Sequence, residues 1–168
     1  FGYAEQQELI SKNPMRKVNA PKKEKRPVDA LTQAQAQRFF QCLHDCPLDF
    51  QCMLHLLITT GIRRGECLGL KWKDIDARAA TLNIARNVTY TVKSGTIVSS
   101  PKTAAGIRTV PLLGATLSLL QSYRNQQCSA HPGINLDEVF LFPSSTDLFH
   151  PRDPNAVTRK VKRFMCRS

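Results

Sequence analysis

Two basic residues, Arg63 and Lys102, are of types that could act together on a phosphodiester. Arg63 and Glu66 lie three residues apart, and Lys102 stands just before a short apolar stretch later in the chain. An arginine guanidinium can hold two phosphate oxygens and keeps its proton at neutral pH, and a lysine ammonium can donate a proton to a leaving oxygen. Taken alone, Arg63 is better explained as a surface arginine and Lys102 as a solvated loop charge.

The elements that would position these residues follow from the spacing of apolar side chains. Thr32 and Gln35 form a capping-box pattern that predicts a helix over residues 32–45. A second helix is predicted over residues 48–59 and ends at Gly61, which is suited to a left-handed cap. Its apolar face consists of Phe50, Met53, Leu54, Leu57 and Ile58.

Alternation with a period of two predicts strands after these helices. The even positions from Leu82 to Val92 form one half-buried strand, with a turn at 93–96 and a return strand at 97–99. Residues 107–112 supply another strand. Further helices are predicted at 113–127 and 153–166, with a short buried element at 139–142. The expected fold is therefore α+β, mostly helical with a small three-stranded antiparallel sheet.

Two segments carry a family resemblance. Residues 60–76 read TGIRRGECLGLKWKDID, and residues 101–112 read PKTAAGIRTVPL. The first resembles the first signature box of the tyrosine recombinase, or phage integrase, family, because it combines TGxRxxE with LxLxWxDID. The second resembles that family's β-hairpin, in which a lysine precedes a strand ending in proline. The sequence looks most like integrases of conjugative transposons and related phages.

The resemblance implies a role for each of the three residues. Arg63 corresponds to the first catalytic arginine and Lys102 to the general acid that protonates the leaving 5′ oxygen. Glu66 would support the orientation of Arg63 without taking part in the chemistry. Such enzymes cut and rejoin DNA through a phosphotyrosine intermediate, and no cofactor or metal is expected. Double-stranded DNA is the expected partner, with assembly into a homo-oligomer on DNA left open.

The family pattern then breaks off. A second box, His-x-x-Arg, and a nucleophilic tyrosine are expected beyond a basic helix, and neither is found before Ser168. Tyr90 and Tyr123 fit packing positions, Tyr3 lacks the nucleophile's context, and His150 lacks the context of the second box. We therefore expect a DNA-binding part of a recombinase that is inactive by itself. The alternative is a non-catalytic DNA-binding module on the same scaffold.

Charge and composition support this organisation. The chain has 168 residues and a net charge of +11, and residues 12–26 and 151–168 carry the whole excess. Such clusters favour a polyanionic partner. Residues 1–13 are expected to be the tail of a helix that Asn13-Pro14 ends. The resemblance implies that they are the end of a core-binding domain, that 14–27 is a basic linker, and that 28–168 is the N-terminal part of a catalytic domain, truncated before the second box. The predicted DNA-contacting residues are Lys22, Lys23, Lys25, Arg26, Arg159, Lys160 and Arg163.

The remaining composition excludes other classes of protein. Apolar residues make up 42% and charged residues 22%, which is typical of a globular chain, and no apolar run is long enough to cross a bilayer. No export signal opens the sequence, so a soluble, cytoplasmic protein without a membrane partner is expected. The six cysteines do not have zinc-site spacing, which favours buried free thiols on helices.

Overall fold

The computed structural model describes residues 1–19, 32–100 and 106–166. The chain divides into two units, Phe1–Thr32 and Gln33–Ser168. In the first unit, helix α1 spans Gly2–Gln6, and a 3₁₀ helix spans Pro14–Lys17. No side chain of residues 1–19 is buried.

The sequence predicted that the first helix would continue to Asn13, and this is wrong. Glu8 has a positive φ of 55°, a left-handed conformation that does not continue a right-handed helix. The Glu5 carboxylate accepts hydrogen bonds from the Asn13 backbone at 3.2 Å and from Arg16 at 2.9 Å. These contacts bring the chain back beside α1, and Asn13 instead caps the 3₁₀ helix.

Four helices of the second unit lie close to the predicted positions, and a fifth, the short helix Arg64–Leu68, was not predicted. The Asp153 side chain caps α6 by accepting from the Asn155 N–H, with Pro154 in the first helical position. Gly61 ends α3 with a φ of 65°, which confirms the predicted left-handed cap. The helices are α2 at Gln33–His44, α3 at Leu48–Thr60, α4 at Arg64–Leu68, α5 at Gly114–Ala130 and α6 at Pro154–Met165.

The strands form one three-stranded antiparallel sheet and one separate hairpin. The sheet has the order β1-β2-β5, and β3 pairs with β4 in a separate two-stranded sheet. In the sheet, Ile84 of β2 lies opposite Arg108 of β5. The strands are β1 at Ile75–Asp76, β2 at Thr81–Ile84, β3 at Asn87–Thr91, β4 at Gly95–Ser99 and β5 at Arg108–Pro111. The fold class is confirmed, since a mostly helical domain carries a small antiparallel sheet.

The single strand predicted from Leu82 to Val92 is wrong in detail. It is interrupted at Ala85 and Arg86, because the Arg86 side chain turns inward to donate to the Gly69 carbonyl at 2.9 Å and to the Asp74 carboxylate. The alternation was continuous because Arg86 does point inward, as a strand residue on that face would. The distal half of the pattern lies on the hairpin, where Val92 is exposed.

The core lies between the sheet and helices α3 and α5. Trp72 is buried and donates from its indole nitrogen to Gln127 at 3.2 Å. Gln127 in turn donates to the Tyr123 hydroxyl at 2.7 Å, and the Tyr123 ring stacks on Phe142. A second cluster, formed by Phe39, Leu43, Phe50 and Leu54, receives Phe164 from α6. The apolar residues of the segment 60–76 are thus packed in the core, and this packing fixes the position of the charged residues in the same segment.

Helix α4 is too short to be stable by itself and depends on a close contact with the strand region beside it. A Cβ at Gly65 would lie 2.5 Å from the Val88 carbonyl oxygen, and one at Gly69 would lie 3.0 Å from the Arg86 carbonyl oxygen. Gly65 therefore requires glycine for the backbone to approach this closely, and a side chain at Gly69 would be tightly packed against Arg86. This contact fixes where the N-terminus of α4, and with it Arg63, is presented.

Candidate active site

Glu66 is the centre of a charged cluster at the N-terminus of α4. It occupies the third helical position, from which a glutamate can reach back to the N-cap residue, here Arg63. Its Oε2 accepts the Arg63 backbone N–H at 2.9 Å, and its Oε1 accepts the Arg63 Nη1 at 3.0 Å. The same carboxylate therefore fixes both the backbone and the side chain of the arginine.

Arg108 reaches the same carboxylate from β5. Its Nη1 donates to Oε1 of Glu66 at 3.1 Å and its Nη2 donates to Oε2 at 2.8 Å, which is a bidentate pair. The Glu66 side chain is only 8% exposed. A buried carboxylate without such partners would be costly, and four donors from two arginines remove that cost.

The charge state of the cluster follows from these contacts. The pKa of the Glu66 carboxyl is lowered to about 2, mainly by the hydrogen bonds from Arg108 and also by those from the Arg63 backbone and side chain, while burial opposes the shift. Contact with Glu66 raises the pKa of Arg108. At neutral pH the carboxylate is therefore ionised between two cations, and the cluster carries a net charge of +1.

Arg63 is the member of the cluster that faces solvent. Its side chain is 80% exposed, compared with 34% for Arg108. Within residues 32–100 and 106–166, its guanidinium has Glu66 as its only hydrogen-bond partner, through Nη1. The remaining donors of the planar fork can meet two oxygens of one anion, a geometry that suits phosphate. Glu66 does contact Arg63, as the sequence predicted. The catalytic role of Arg63 and the supporting role of Glu66 stay predictions.

Helix α6 carries a group of basic residues. Arg159 and Arg163, four residues apart, are exposed, and Lys162, which lies between them in sequence, is exposed as well. Lys160 is half-buried, with its ammonium 4.5 Å from the centre of the Phe50 ring, so it is partly engaged in packing.

Arg64 joins the first turns of α4 and α6. It donates to the Pro154 carbonyl at 3.2 Å and to the Thr158 hydroxyl. The α4 N-terminus that presents Arg63 and the helix that presents the basic face therefore have a direct connection.

A model of the phage integrase family matches residues 29–167. The chain belongs to the phage integrase family. It is 31% identical, over all of its length, to a tyrosine recombinase XerC-like protein of Caldanaerobacter subterraneus subsp. tengcongensis, of which it covers 47%. It is 24% identical, over 98% of its length, to the ICEBs1 integrase of Bacillus subtilis, of which it covers 44%. The chain thus spans about half the length of these curated relatives.

A solved structure has the same fold as this integrase-family chain. It is the Tn1549 transposon integrase in complex with a circular intermediate DNA, which aligns with a TM-score of 0.73 and 22% identity over 97% of this chain and 55% of that one. None of the described helices is long and apolar enough to cross a membrane.

Several predicted site residues of this integrase-family chain lie outside the described residues. Lys102 belongs to residues 101–105, and the four basic residues of the predicted linker belong to residues 20–31. Their assignments remain predictions. The linker residues concerned are Lys22, Lys23, Lys25 and Arg26.

Arg108, Arg64 and Lys162 were given no role from the sequence. Arg108 lies in the hairpin segment used for the family resemblance, on the same face of its strand as half-buried Val110. An arginine at an inward position requires a carboxylate partner, and that signal could have directed attention to it. The contact of Arg64 with α6 spans 94 residues of sequence, and nothing local indicates it.

The tyrosines occupy three different settings. Tyr123 is buried in the core, which confirms its predicted packing role. Burial is also the main cause that raises its pKa, so its hydroxyl stays protonated at neutral pH. Tyr90 was also expected to pack, but it is 45% exposed on the hairpin. Tyr3 is exposed in the first unit.

The six cysteines are free thiols, but burial is limited to two of them. Cys52 and Cys67 are buried, and burial raises the pKa of Cys52 to about 12. Cys42 and Cys46 are half-buried, and Cys128 and Cys166 are exposed. The expectation of buried cysteines is therefore wrong for the last two, since Cys128 lies on the solvent side of α5 and Cys166 follows the last turn of α6. No group of His, Cys, Asp or Glu among the described residues could hold a metal ion.

Proposed function

We propose that this chain is the DNA-binding part of a site-specific tyrosine recombinase, one that cuts and rejoins DNA through a phosphotyrosine intermediate. The observation that carries the proposal is the exposed Arg63 guanidinium, held by a buried and ionised Glu66 at the N-terminus of α4. A fixed cation with unused donors is what a phosphodiester needs when charge develops on its oxygens. The family and the DNA-bound Tn1549 relative support this reading.

In this proposal each charged residue has one role. Arg63 contacts the non-bridging oxygens of the scissile phosphate, and Glu66 supports Arg63 without touching DNA. Lys102 protonates the leaving 5′ oxygen. No cofactor takes part, because the bond energy is stored in a protein–DNA ester.

The basic residues position the duplex. We assign residues 1–13 to the end of a core-binding domain, 14–27 to a basic linker and the residues from 28 onward to the catalytic domain. Phosphate contacts from the linker and from α6 fix the register of the protein on the duplex and carry little sequence information. The residues concerned are Lys22, Lys23, Lys25 and Arg26 in the linker and Arg159, Lys160 and Arg163 on α6, to which Lys162 is added.

The binding proposal is tested by fluorescence anisotropy with a duplex oligonucleotide. Affinity should fall steeply between low and physiological salt, because each neutralised phosphate releases counterions. A triple variant, Arg159→Gln, Lys162→Gln and Arg163→Gln, should weaken binding and reduce the salt slope. A flat salt response of the unmodified chain would contradict the proposal.

A matched triple variant controls for net charge. Lys71, Lys73 and Arg124 are each paired with an acidic side chain, Glu138 for both lysines and Asp137 for Arg124. Changing these three to Gln removes the same charge at sites outside the proposed interface. If both triple variants weaken binding equally, charge and not the α6 surface accounts for affinity.

The isolated 168-residue chain should bind DNA without cleaving it, because none of its three tyrosines has the context of the nucleophile. A suicide substrate that traps a covalent adduct tests this directly. An adduct mapped to Tyr3, Tyr90 or Tyr123 would contradict the assignment. A chain that binds duplex DNA but never supports cleavage, even when supplied within a longer recombinase, would favour the non-catalytic binding module.

The role of Lys102 is tested in a recombinase that contains this chain together with a nucleophilic tyrosine. Lys102→Ala should abolish cleavage of ordinary DNA and recover it on a 5′-bridging phosphorothiolate, whose leaving group needs no proton. Failure of that substrate to restore cleavage would leave Lys102 as a DNA-positioning residue only.

In the same recombinase, Arg63→Lys should lose most cleavage activity while retaining the fold, since lysine keeps the charge and loses the planar guanidinium that can hold two phosphate oxygens.

A further inference from the structure

Two arginines share the Glu66 carboxylate, and they use it differently. Each oxygen accepts one hydrogen bond from the Arg108 side chain, and each accepts a second from Arg63, one from the backbone and one from Nη1. Arg108 thus donates from both of its terminal nitrogens, whereas Arg63 donates from only one.

The occupancy of the carboxylate decides how many donors Arg63 retains. A carboxylate and a guanidinium readily form a bidentate pair when nothing else holds the oxygens. In this site Arg108 already occupies a position on each Glu66 oxygen, so the contact with Arg63 is limited to one side-chain nitrogen. The rest of the Arg63 fork stays available on the exposed side of the cluster.

Charge balance leads to the same conclusion. With Arg108 in place the cluster has two cations and one anion. Without Arg108, Arg63 and Glu66 would neutralise each other, and a phosphate would have to compete with Glu66 for the fork. The long separation of 42 residues between Glu66 and Arg108 means that this balance depends on β5 being paired in the sheet.

We propose that Arg108 is a positioning residue for Arg63: it engages Glu66 in a bidentate pair and so keeps the Arg63 guanidinium free to bind a DNA phosphate. This inference rests on the proposed function and extends it to a residue that does not itself touch the reacting atoms. It also links the strand that follows Lys102 in sequence to the arginine at the N-terminus of α4.

The first test is a double-mutant cycle on duplex affinity with the 168-residue chain. Arg63→Ala should weaken duplex binding clearly in the unmodified background. It should weaken binding much less in the Arg108→Gln background, because there Glu66 already engages the Arg63 guanidinium and keeps it from the phosphate. A difference of at least about twofold between the two losses is expected, the lower end of coupling for residues in one network. Equal losses in both backgrounds would overturn the proposal.

Arg78→Gln is the matched control for this cycle. Arg78 is exposed and lies outside the cluster, so its replacement removes the same charge. The loss caused by Arg63→Ala should be the same in the Arg78→Gln background as in the unmodified chain. If Arg78→Gln reduces that loss as much as Arg108→Gln does, the coupling reflects net charge and the proposal fails.

The conservative variant separates positioning from general support of the fold. Arg108→Lys keeps the charge but can reach only one oxygen at a time, so the cycle should give an intermediate result. If Arg108→Gln does not fold, as judged by circular dichroism, Arg108→Lys alone decides the question. Arg108→Lys behaving like the unmodified chain in the cycle would show that the bidentate pair is not needed, and would overturn the proposal.

A DNA-free measurement separates failure of this inference from failure of the proposed function. Carbon-13 NMR of the Glu66 carboxyl should give a higher pKa in Arg108→Gln than the value of about 2 in the unmodified chain, since the Arg108 contact is the main cause of the low value. Nitrogen-15 spectra should show the Arg63 side chain changing from one-point to two-point contact with Glu66. If the unmodified chain binds no duplex DNA, the proposed function is contradicted. If the Arg63 spectrum of Arg108→Gln is the same as that of the unmodified chain, this inference is contradicted.

Discussion

The segment 60–76 contains two carboxylates with nearly the same local arrangement and different outcomes. Glu66 accepts the N–H of the residue three positions before it, and Asp74 does the same with Lys71 at 2.6 Å. Each carboxylate is also held by an arginine from the strand region, Arg108 for Glu66 and Arg86 for Asp74. Glu66 therefore caps α4, Asp74 caps a 3₁₀ helix at Trp72–Asp74, and each carboxylate anchors its helix to the strand region.

The difference between the two sites is a third partner. Glu66 also holds Arg63, whose side chain is exposed, whereas the contacts of Asp74 within the described residues are all internal to the fold. The same capping arrangement supports structure at Asp74 and presents a cation to solvent at Glu66. The proposed functional site at Glu66 thus differs from the structural site at Asp74 by a single exposed side chain, not by a different type of local geometry.

The largest loss of stability is expected at Asp74. Asp74→Ala leaves the Lys71 N–H uncapped and Arg86 without its carboxylate, which should cost about 3–5 kcal/mol in the free energy of unfolding. Asp76→Ala, at an exposed carboxylate that caps a local turn through Arg78 and Ala79, should cost about 1 kcal/mol. Urea denaturation compares the two, and similar losses would show that Asp74 is not a buried anchor.

Glu66→Gln should cost about 1.5–3 kcal/mol at neutral pH, because hydrogen bonds to a charged acceptor are lost. The pKa of the Glu66 carboxyl is about 2 in the folded protein, below its ordinary value of 4.5. Its ionisation therefore stabilises the fold fully above about pH 4.5, and this contribution is lost as the pH falls towards 2.

The gap in unfolding free energy between the unmodified chain and Glu66→Gln should accordingly narrow on acidification. Denaturant titrations at a series of pH values between neutrality and pH 2 measure it. Glu138→Gln serves as the control, since Glu138 is an exposed carboxylate held by two lysines. A gap at Glu66 that stays constant down to pH 2 would contradict the ionised, arginine-held state.

Gly65 and Gly69 both lie against the strand region, and the two positions should differ in their tolerance of a methyl group. Gly65→Ala should cost about 1–3 kcal/mol, because its methyl would meet the Val88 backbone carbonyl at 2.5 Å. Gly69→Ala should cost less, since the nearest Arg86 atoms are 3.0 Å away. Gly114→Ala, with no atom within 4 Å of the new methyl, is the control and should be neutral or stabilising. Thermal unfolding decides the order, and equal effects at all three positions would contradict it.

The smallest effect on stability is expected at Arg63. Arg63→Ala should change the free energy of unfolding by no more than about 0.5 kcal/mol, since its side chain is exposed. Arg86→Ala should be strongly destabilising, because it leaves Asp74 buried without its cation. Under the proposed function, Arg63→Ala should nevertheless lower the affinity for duplex DNA. If both variants lose the same stability, the distinction between presented and internal arginines is wrong.

Local pattern was sufficient for much of the fold. Helical spacing located α2, α3, α5 and α6 within a few residues, and the Asp153-Pro154 and Gly61 signals marked helix ends correctly. Alternation could not separate β2 from β3, since inward Arg86 fits a continuous strand as well as a break. The break depends on Gly69 and Asp74, which are distant in sequence.

The contacts of the candidate site likewise divide into those that local sequence predicts and those that depend on long-range packing. Arg63 and Glu66 are three residues apart, so a helical turn is enough to predict their contact. The bidentate contact of Arg108 with Glu66 depends on the pairing of β5 with β2, and the contact of Arg64 with α6 depends on how two helices pack. Long-range pairing of this kind leaves only a weak local signal, namely a charged residue at an inward strand position.

The distance in sequence between Glu66 and Arg108 also sets an order of events during biosynthesis. A nascent chain acquires Arg63 and Glu66 well before it acquires Arg108, and β5 must pair with β2 before the second arginine reaches the carboxylate. Closing that loop costs conformational entropy, which only the packed domain repays. The Glu66 cluster is therefore completed late, and an incompletely synthesised chain carries the signature residues without their final arrangement.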